Sequence, residues 1–289
     1  MNFSLSSTEP DGESLSGGPP EPSNVNSYLA WYNYAGGDMR VEFKMVVFET
    51  AVVPQHMWSP GPGTPGYRVL WTNTFKLSFS DRTFRRMPAM SFDCSQSKIS
   101  DTGCSVLMHH PQLRRLSLAN NDITDVALVC LDGLKRLESL HLYNTKVTDA
   151  GLVHLKSLPK LRELMLTATK VTDRGMPYLS GLTNLESLDL SKTRISDEGL
   201  VRLQPLRRLK SLFLYDTQID DVGLGHLRSF STLRLLFLSG TKVSDTGLQN
   251  LAGLTNLETL RLDGSKVSAN GVKALQHELP NCTIEWGPR

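Results

Sequence analysis

No run of this sequence is apolar for the roughly 20 residues that a bilayer-spanning helix needs. The longest candidate, MVVFETAVV at 45–53, is short and carries Glu49. The opening stretch, MNFSLSSTEPDGESLSGGPPEPSN, has neither a basic start nor an apolar segment, so no secretory signal is expected. Charge of one sign is not in excess: 31 Lys and Arg stand against 29 Asp and Glu, a formal net charge of +2. That removes the general electrostatic case for a nucleic acid or membrane partner. Cysteine is scarce, with four residues in no local pairing pattern, which fits a reducing compartment and a cytoplasmic location. Motifs for chemistry are missing as well. No glycine-rich loop follows a strand to cradle phosphate, and no Ser, His and acid set is suggested by spacing. His109-His110 has no further ligands at metal-binding spacing, and His110 sits in a leucine slot, where it reads as an edge residue. No catalytic residue, metal or cofactor is expected.

What the sequence has in abundance is one phrase. LHLYNTKVTDAGLVHL, at 140–155, returns as LMLTATKVTDRGMPYL and again as LDLSKTRISDEGLVRL. From Ala89 to Pro280 the chain divides into eight blocks of 24 without a gap. Block positions 1, 4 and 6 are leucine almost throughout, as in Leu137, Leu140 and Leu142. Positions 4 and 6 alternate, so both point to one face of a short strand. Position 11 is always Val or Ile, and positions 16, 19 and 22 are mostly Leu, which suits one face of a short helix. Burying each apolar side chain is worth roughly 1.5–3 kcal/mol, while ordering backbone costs about 1–2 kcal/mol per residue. A single block therefore cannot fold, whereas stacked blocks share a core.

Two polar columns accompany the leucines. Position 9 is Thr in five blocks, from Thr145 to Thr241, with Ser97, Asn121 and Ser265 in the others. It reads as a hydroxyl ladder inside the stack, where the chain leaves the strand and its backbone needs partners. Next comes a Thr/Ser-Asp pair, as in Thr148-Asp149 and Ser196-Asp197. The hydroxyl reads as a helix N-cap and the acid as a first-turn charge that interacts with the helix dipole. In the sixth block Asp220-Asp221 replaces the pair.

A fixed period of 20–29 residues headed by L-x-x-L-x-L marks a leucine-rich repeat, and residues 89–289 resemble a leucine-rich-repeat solenoid. The implied fold is α/β: a curved parallel sheet on the concave face, short helices on the convex face, and a C-terminal cap. The VTDxGL phrase and the ending LPNCTIEW at 279–286 are similar to the 24-residue repeats of planctomycete-type bacterial proteins. TDxGLxxL is also similar to the repeats of F-box substrate receptors. Those are usually longer, carry Cys where this chain has Thr, and follow a helical F-box whose pattern is absent from residues 1–88. The resemblance implies a binding scaffold.

Residues 1–26, rich in Ser, Gly, Pro and Glu, are expected to be a disordered tail. Residues 27–88 contain two alternating stretches, MRVEFKMVVF and YRVLWTNTFKLSFS, the second through Phe75, Leu77 and Phe79. They also hold Trp31, Trp58 and Trp71, and read as a β-rich segment capping the first repeat, with a small independent ligand module as the alternative.

Positions 3, 5 and 7 face away from the leucines. Eight strands about 4.8 Å apart make a face roughly 34 Å long, suited to a protein. The candidate contacts are His141, Tyr143, Met165, Asp189, Phe213, Tyr215, Leu235, Phe237 and Arg261. Phe213, Tyr215, Leu235 and Phe237 come from adjacent strands whose core slots are already filled by Leu212, Leu214, Leu236 and Leu238. The expected function is a non-enzymatic protein-binding scaffold. The alternative is a regulatory subunit or inhibitor that docks on an enzyme. A row of cations at position 10, such as Lys146, Lys170 and Lys242, reads as a solvated edge.

Overall fold

The computed structural model describes residues 91–288, apart from the side chain of Val106. Before residue 91 it describes only the backbone of five strands: β1 (Ser7–Thr8), β2 (Ser14–Leu15), β3 (Tyr28–Ala35), β4 (Arg40–Phe48) and β5 (Gly66–Leu70). The rest of the tail at 1–26, Trp58, Trp71, and Phe75, Leu77 and Phe79 lie outside the described residues. β4 coincides with the first alternating stretch.

Within the repeats each strand is three residues long and recurs every 24 residues. They are β6 (Ser91–Asp93), β7 (Arg115–Ser117), β8 (Ser139–His141), β9 (Glu163–Met165) and β10 (Ser187–Asp189). β11 (Ser211–Phe213), β12 (Leu235–Phe237), β13 (Thr259–Arg261) and β14 (Thr283–Glu285) complete the row. β6 to β14 pair as successive parallel neighbours in one sheet. At its other end β6 pairs in parallel with β5, and β5, β4 and β3 pair antiparallel.

The register joins each residue to the one 24 positions later, so Leu188, Leu212, Leu236 and Leu260 lie side by side. These leucines, and Leu190, Leu214, Leu238 and Leu262 two positions on, are at most 1% exposed. Position 11 follows them inward, with Val147, Ile195 and Ile219 fully buried. His110 joins this core instead of standing at an edge. It is fully buried, with its ring 4.9 Å from Phe92 in an edge-to-face contact. An imidazole fills a leucine slot there.

The convex segments are shorter and tighter than the expected helices. The α-helical pieces are α1 (Asp125–Leu128), α2 (Met176–Leu179), α3 (Asp197–Arg202), α4 (Asp221–Leu227), α5 (Asp245–Leu248) and α6 (Ala269–Glu278). Several repeats instead use 3₁₀ turns, as at Gly103–His109 and Gly151–Ser157. Apolar residues at 16, 19 and 22 recur every third position, and the 3₁₀ turns and short α-helical pieces alike turn them inward.

The position 13 aspartates hold neighbouring repeats together. Asp149 accepts the Thr172 backbone N–H at 2.7 Å and the Thr172 hydroxyl at 2.6 Å. The same two-bond clamp joins Asp101 to Thr124, Asp125 to Thr148, Asp173 to Ser196, Asp221 to Ser244 and Asp245 to Ser268. The expected helix-dipole role is thus the lesser one, because the partner lies 23 residues away in the next repeat. The hydroxyls also cap: Thr124 and Thr172 accept from the N–H two residues on, though Ser196 makes no such bond. The clamp leaves little room at position 15, which is Gly in seven of the eight repeats and Ala127 in the second. A Cβ on Gly175 would stand 2.6 Å from Asp149 Oδ1 and 2.7 Å from Leu152 Cδ1.

The position 9 hydroxyls do not form a ladder. Thr145, Thr169, Thr193, Thr217 and Thr241 each donate to the carbonyl three residues earlier, closing their own turn. Asn121 alone in that column spans repeats, donating to the Cys94 carbonyl and accepting from Ile99 N–H. A further column shows only in the backbone. Position 8 is left-handed in every repeat, from Gln96 (φ 56°) through Lys192 (φ 54°) to Gly264 (φ 68°).

Candidate functional site

Short strands with their leucines turned inward leave positions 3, 5 and 7 on the concave side. Phe213 and Phe237 are registered opposite each other on β11 and β12. Their rings meet edge to face, centroids 4.9 Å apart at 87°. Arg261, registered beside Phe237 on β13, places its guanidinium 4.7 Å from that ring. Glu285 on β14 holds Arg261 there, Nε to Oε2 at 2.8 Å. Lys192 lies 5.5 Å over the Tyr215 ring. Phe213, Tyr215, Leu235 and Phe237 are half-buried, and Arg261 is exposed. A cation over a ring contributes about 0.5–1 kcal/mol at such sites, so the patch is apolar in the middle and braced at its C-terminal side by an ion pair.

The N-terminal half of the face is polar. Ser139 donates to Glu163 Oε2 at 2.7 Å. His141 Nε2 lies 3.4 Å from Glu163 Oε1 and 3.3 Å from Ser139 Oγ. Burial pushes the Glu163 carboxyl up, but the hydrogen bonds from His141 and Ser139 and the charges of His141 and Arg115 more than offset this and hold it below its ordinary value. Tyr143 tilts against His141, ring centroids 6.3 Å apart. A hydroxyl, an imidazole and a carboxylate thus do meet, in an order unsuited to a relay. A nucleophilic triad sets the imidazole between hydroxyl and acid, one nitrogen to each. Here one nitrogen faces both, and the hydroxyl donates its hydrogen bond directly to the carboxylate. The arrangement fixes His141 and keeps a negative charge beside it.

Met165 and Asp189 continue the position 5 column between these halves, both half-buried. Asp189 accepts from Ser191 N–H at 2.8 Å, which ties the carboxylate to its own turn. So the nine expected contacts share one face, but they fall into a polar cluster and an aromatic one. Ser139, Glu163 and Glu285 were not among the expected residues. The 24-residue period could have found them, since each lies one repeat from its partner, or two residues away on the same strand face.

Elsewhere the chemistry is quiet. The position 10 cations are exposed, and Lys146 pairs with Asp122 at 2.5 Å. The four cysteines are buried and form no disulfide. Burial pushes the Cys104 thiol far up and the Cys282 thiol up to about 11, which suits packing rather than nucleophilic attack. Among the described residues, no group of three or more His, Cys, Asp or Glu could hold a metal ion. Nor is any helix among them long and apolar enough to cross a membrane.

Comparison with known proteins agrees with this geometry. The family described as "Leucine Rich repeats (2 copies)" matches residues 111–153, and that described as "Leucine Rich repeat" matches 181–203. No curated protein matches the chain. Among solved structures, an internalin C2 from Listeria monocytogenes is similar at 28% identity and a TM-score of 0.51, over 64% of this chain and 76% of that one. The ectodomain of the Arabidopsis receptor kinase HAESA is similar at 22% identity and a TM-score of 0.53, over 68% of this chain and 34% of that one. Repeat, register and relatives coincide: the chain carries leucine-rich repeats and folds as an α/β leucine-rich-repeat solenoid.

Proposed function

We propose that this chain is a non-enzymatic scaffold that binds a protein partner on its concave face, with the Phe213–Phe237 pair as the anchor. The observation that carries the reading is an aromatic pair with no core to fill. Leu212, Leu214, Leu236 and Leu238 from the same strands already occupy the interior at 0% exposure. Half-buried rings braced by Arg261 and Glu285 are held in place before a partner arrives, which lowers the entropy cost of binding. Aromatic and arginine anchors dominate interface energies. Asp189 and His141 extend the contact along the face, and Met165, Tyr143, Tyr215 and Leu235 complete it. Four buried thiols without a disulfide support a cytoplasmic location. The 24-residue VTDxGL repeat supports a kinship with planctomycete-type repeat proteins, and the strands of residues 27–88 supply a cover for the first repeat.

The test is affinity capture with the wild-type chain and with Phe213→Ala/Phe237→Ala, both checked for folding by circular dichroism. Truncating such an anchor costs about 2 kcal/mol or more, so the partner is expected to bind roughly thirtyfold more weakly. Undiminished capture by a folded double variant would move the binding surface elsewhere.

A further inference from the structure

Seven junctions join successive aspartates of position 13 to the next repeat, and six are alike. In those six the backbone N–H reaches its aspartate at 2.7 or 2.8 Å, and a Thr or Ser hydroxyl donates to the second oxygen. At the seventh, between the fifth and sixth repeats, Asp220 stands where the hydroxyl should be. Its N–H reaches Asp197 Oδ1 at 3.1 Å, longer than any of the others. A carboxylate offers no proton to the second Asp197 oxygen and brings a like charge to it.

We propose that this junction is a proton-operated joint: open to local fraying when both Asp197 and Asp220 are ionised, and clamped when one proton is shared between them. The shared proton would replace the missing hydroxyl, with the Asp197 O–H donating to the Asp220 carboxylate. Asp220 is the partner suited to stay ionised, because it accepts Val222 N–H at 2.8 Å as the cap of α4. The charged groups acting on the pair are Lys242 and Lys266, which act on Asp220, and His226, which acts on Asp197. Burial and the Asp220 side chain push the Asp197 carboxyl above its ordinary value of 3.8, against the lowering effect of the Asp220 N–H and of His226. The Val222 N–H, followed by Asp197 and the two lysines, holds Asp220 below its own. The sign is then unusual for an aspartate. A raised carboxyl gains its proton more readily in the folded chain, so the junction strengthens as pH falls through the folded value of Asp197. The joint links the starts of α3 and α4, the segments that follow the paired strands β10 and β11.

Amide hydrogen exchange reads each junction separately. Protection of the Asp220 N–H is compared with that of the Thr172 and Ser244 N–H groups from pH 7.5 down to 4, after correction for intrinsic rates. At pH 7.5 the Asp220 amide is expected to be at least tenfold less protected than the other two, with the gap closing toward pH 4. Asp220→Thr restores the hydroxyl found at other junctions and should equalise protection at both ends of the range. Asp220→Asn donates from its amide without titrating and should also abolish the pH dependence. Equal protection of all three amides in the wild-type chain at pH 7.5 would overturn the proposal. So would a gap that persists in both variants.

Discussion

Each short strand has two faces, and they follow different rules. Inward, β11 and β12 carry Leu212 and Leu236 between Leu190, Leu214 and Leu238, all at 0% exposure. Outward, the same columns run from Ser117 through His141, Met165 and Asp189 to Phe213, Phe237 and Arg261. The inner face is uniform because each repeat must be interchangeable with its neighbours to close a continuous core. The outer face has no such neighbour to satisfy. The position 13 aspartate and position 15 glycine belong with the leucines in this respect, although they are not apolar. They recur because they are the contact between repeats.

The contrast can be broken most forcefully from the inside. Leu214→Ala is expected to destabilise by about 2–5 kcal/mol in thermal or denaturant unfolding, since a fully buried site cannot close over the cavity. A loss no larger than that of an outward residue would mean that the two faces are assigned the wrong way round.

The clamp should come next. Asp149→Asn leaves the Thr172 hydroxyl and N–H to share a single neutral acceptor oxygen. Hydrogen bonds to a charged group contribute about 1.5–3 kcal/mol, and a loss of that order is expected. Gly175→Ala is the sharper test, because two principles disagree in sign. Helix propensity alone favours Ala over Gly by about 1 kcal/mol. A Cβ 2.6 Å from Asp149 Oδ1 must instead push the clamp apart. Net destabilisation is expected; a more stable variant would show that the aspartate is not needed where it stands.

On the outer face Phe213→Ala should cost less than Leu214→Ala, about 1–2 kcal/mol. It removes half the burial of a large side chain and one edge-to-face contact. The difference between these two adjacent residues, measured in the same melt, is the comparison in its smallest form.

The least effect is expected at Glu163, and only in acid. Its carboxyl is held below the ordinary value of 4.5 in the folded chain. The stability this contributes is fully present above that ordinary value and is lost as pH falls through the lower folded one. Below about pH 4.5 the wild-type melting temperature should therefore fall more steeply than that of Glu163→Gln, and the two slopes should agree near neutrality. Parallel slopes throughout would remove the pairing with His141 and Ser139.

Much of this protein is determined by its sequence alone. The 24-residue period, the inward leucines and the outward position of Phe213 and Phe237 follow from it, because strand alternation is a local property with a period of two residues. The three-residue spacing of Leu152, Leu155 and Leu158 gives the inward face of the convex segment, though the same spacing serves α-helical and 3₁₀ repeats alike. Tertiary structure decided what depends on stacking. A position 13 aspartate looks like a helix-cap companion until the next repeat brings a hydroxyl to it from 23 residues away. The glycine two residues on looks like a turn residue until an aspartate from the preceding repeat fills the space its side chain would take. Left-handed position 8 was hidden because Gln96, Asn144, Ala168, Lys192 and Asp216 share no chemistry, only a backbone bend imposed by the parallel strands. The Asp220 N–H on Asp197 and the Ser139–His141–Glu163 cluster join groups from neighbouring repeats. Which atoms meet there is fixed by how one repeat settles against the next, and that packing is not written in either repeat taken alone.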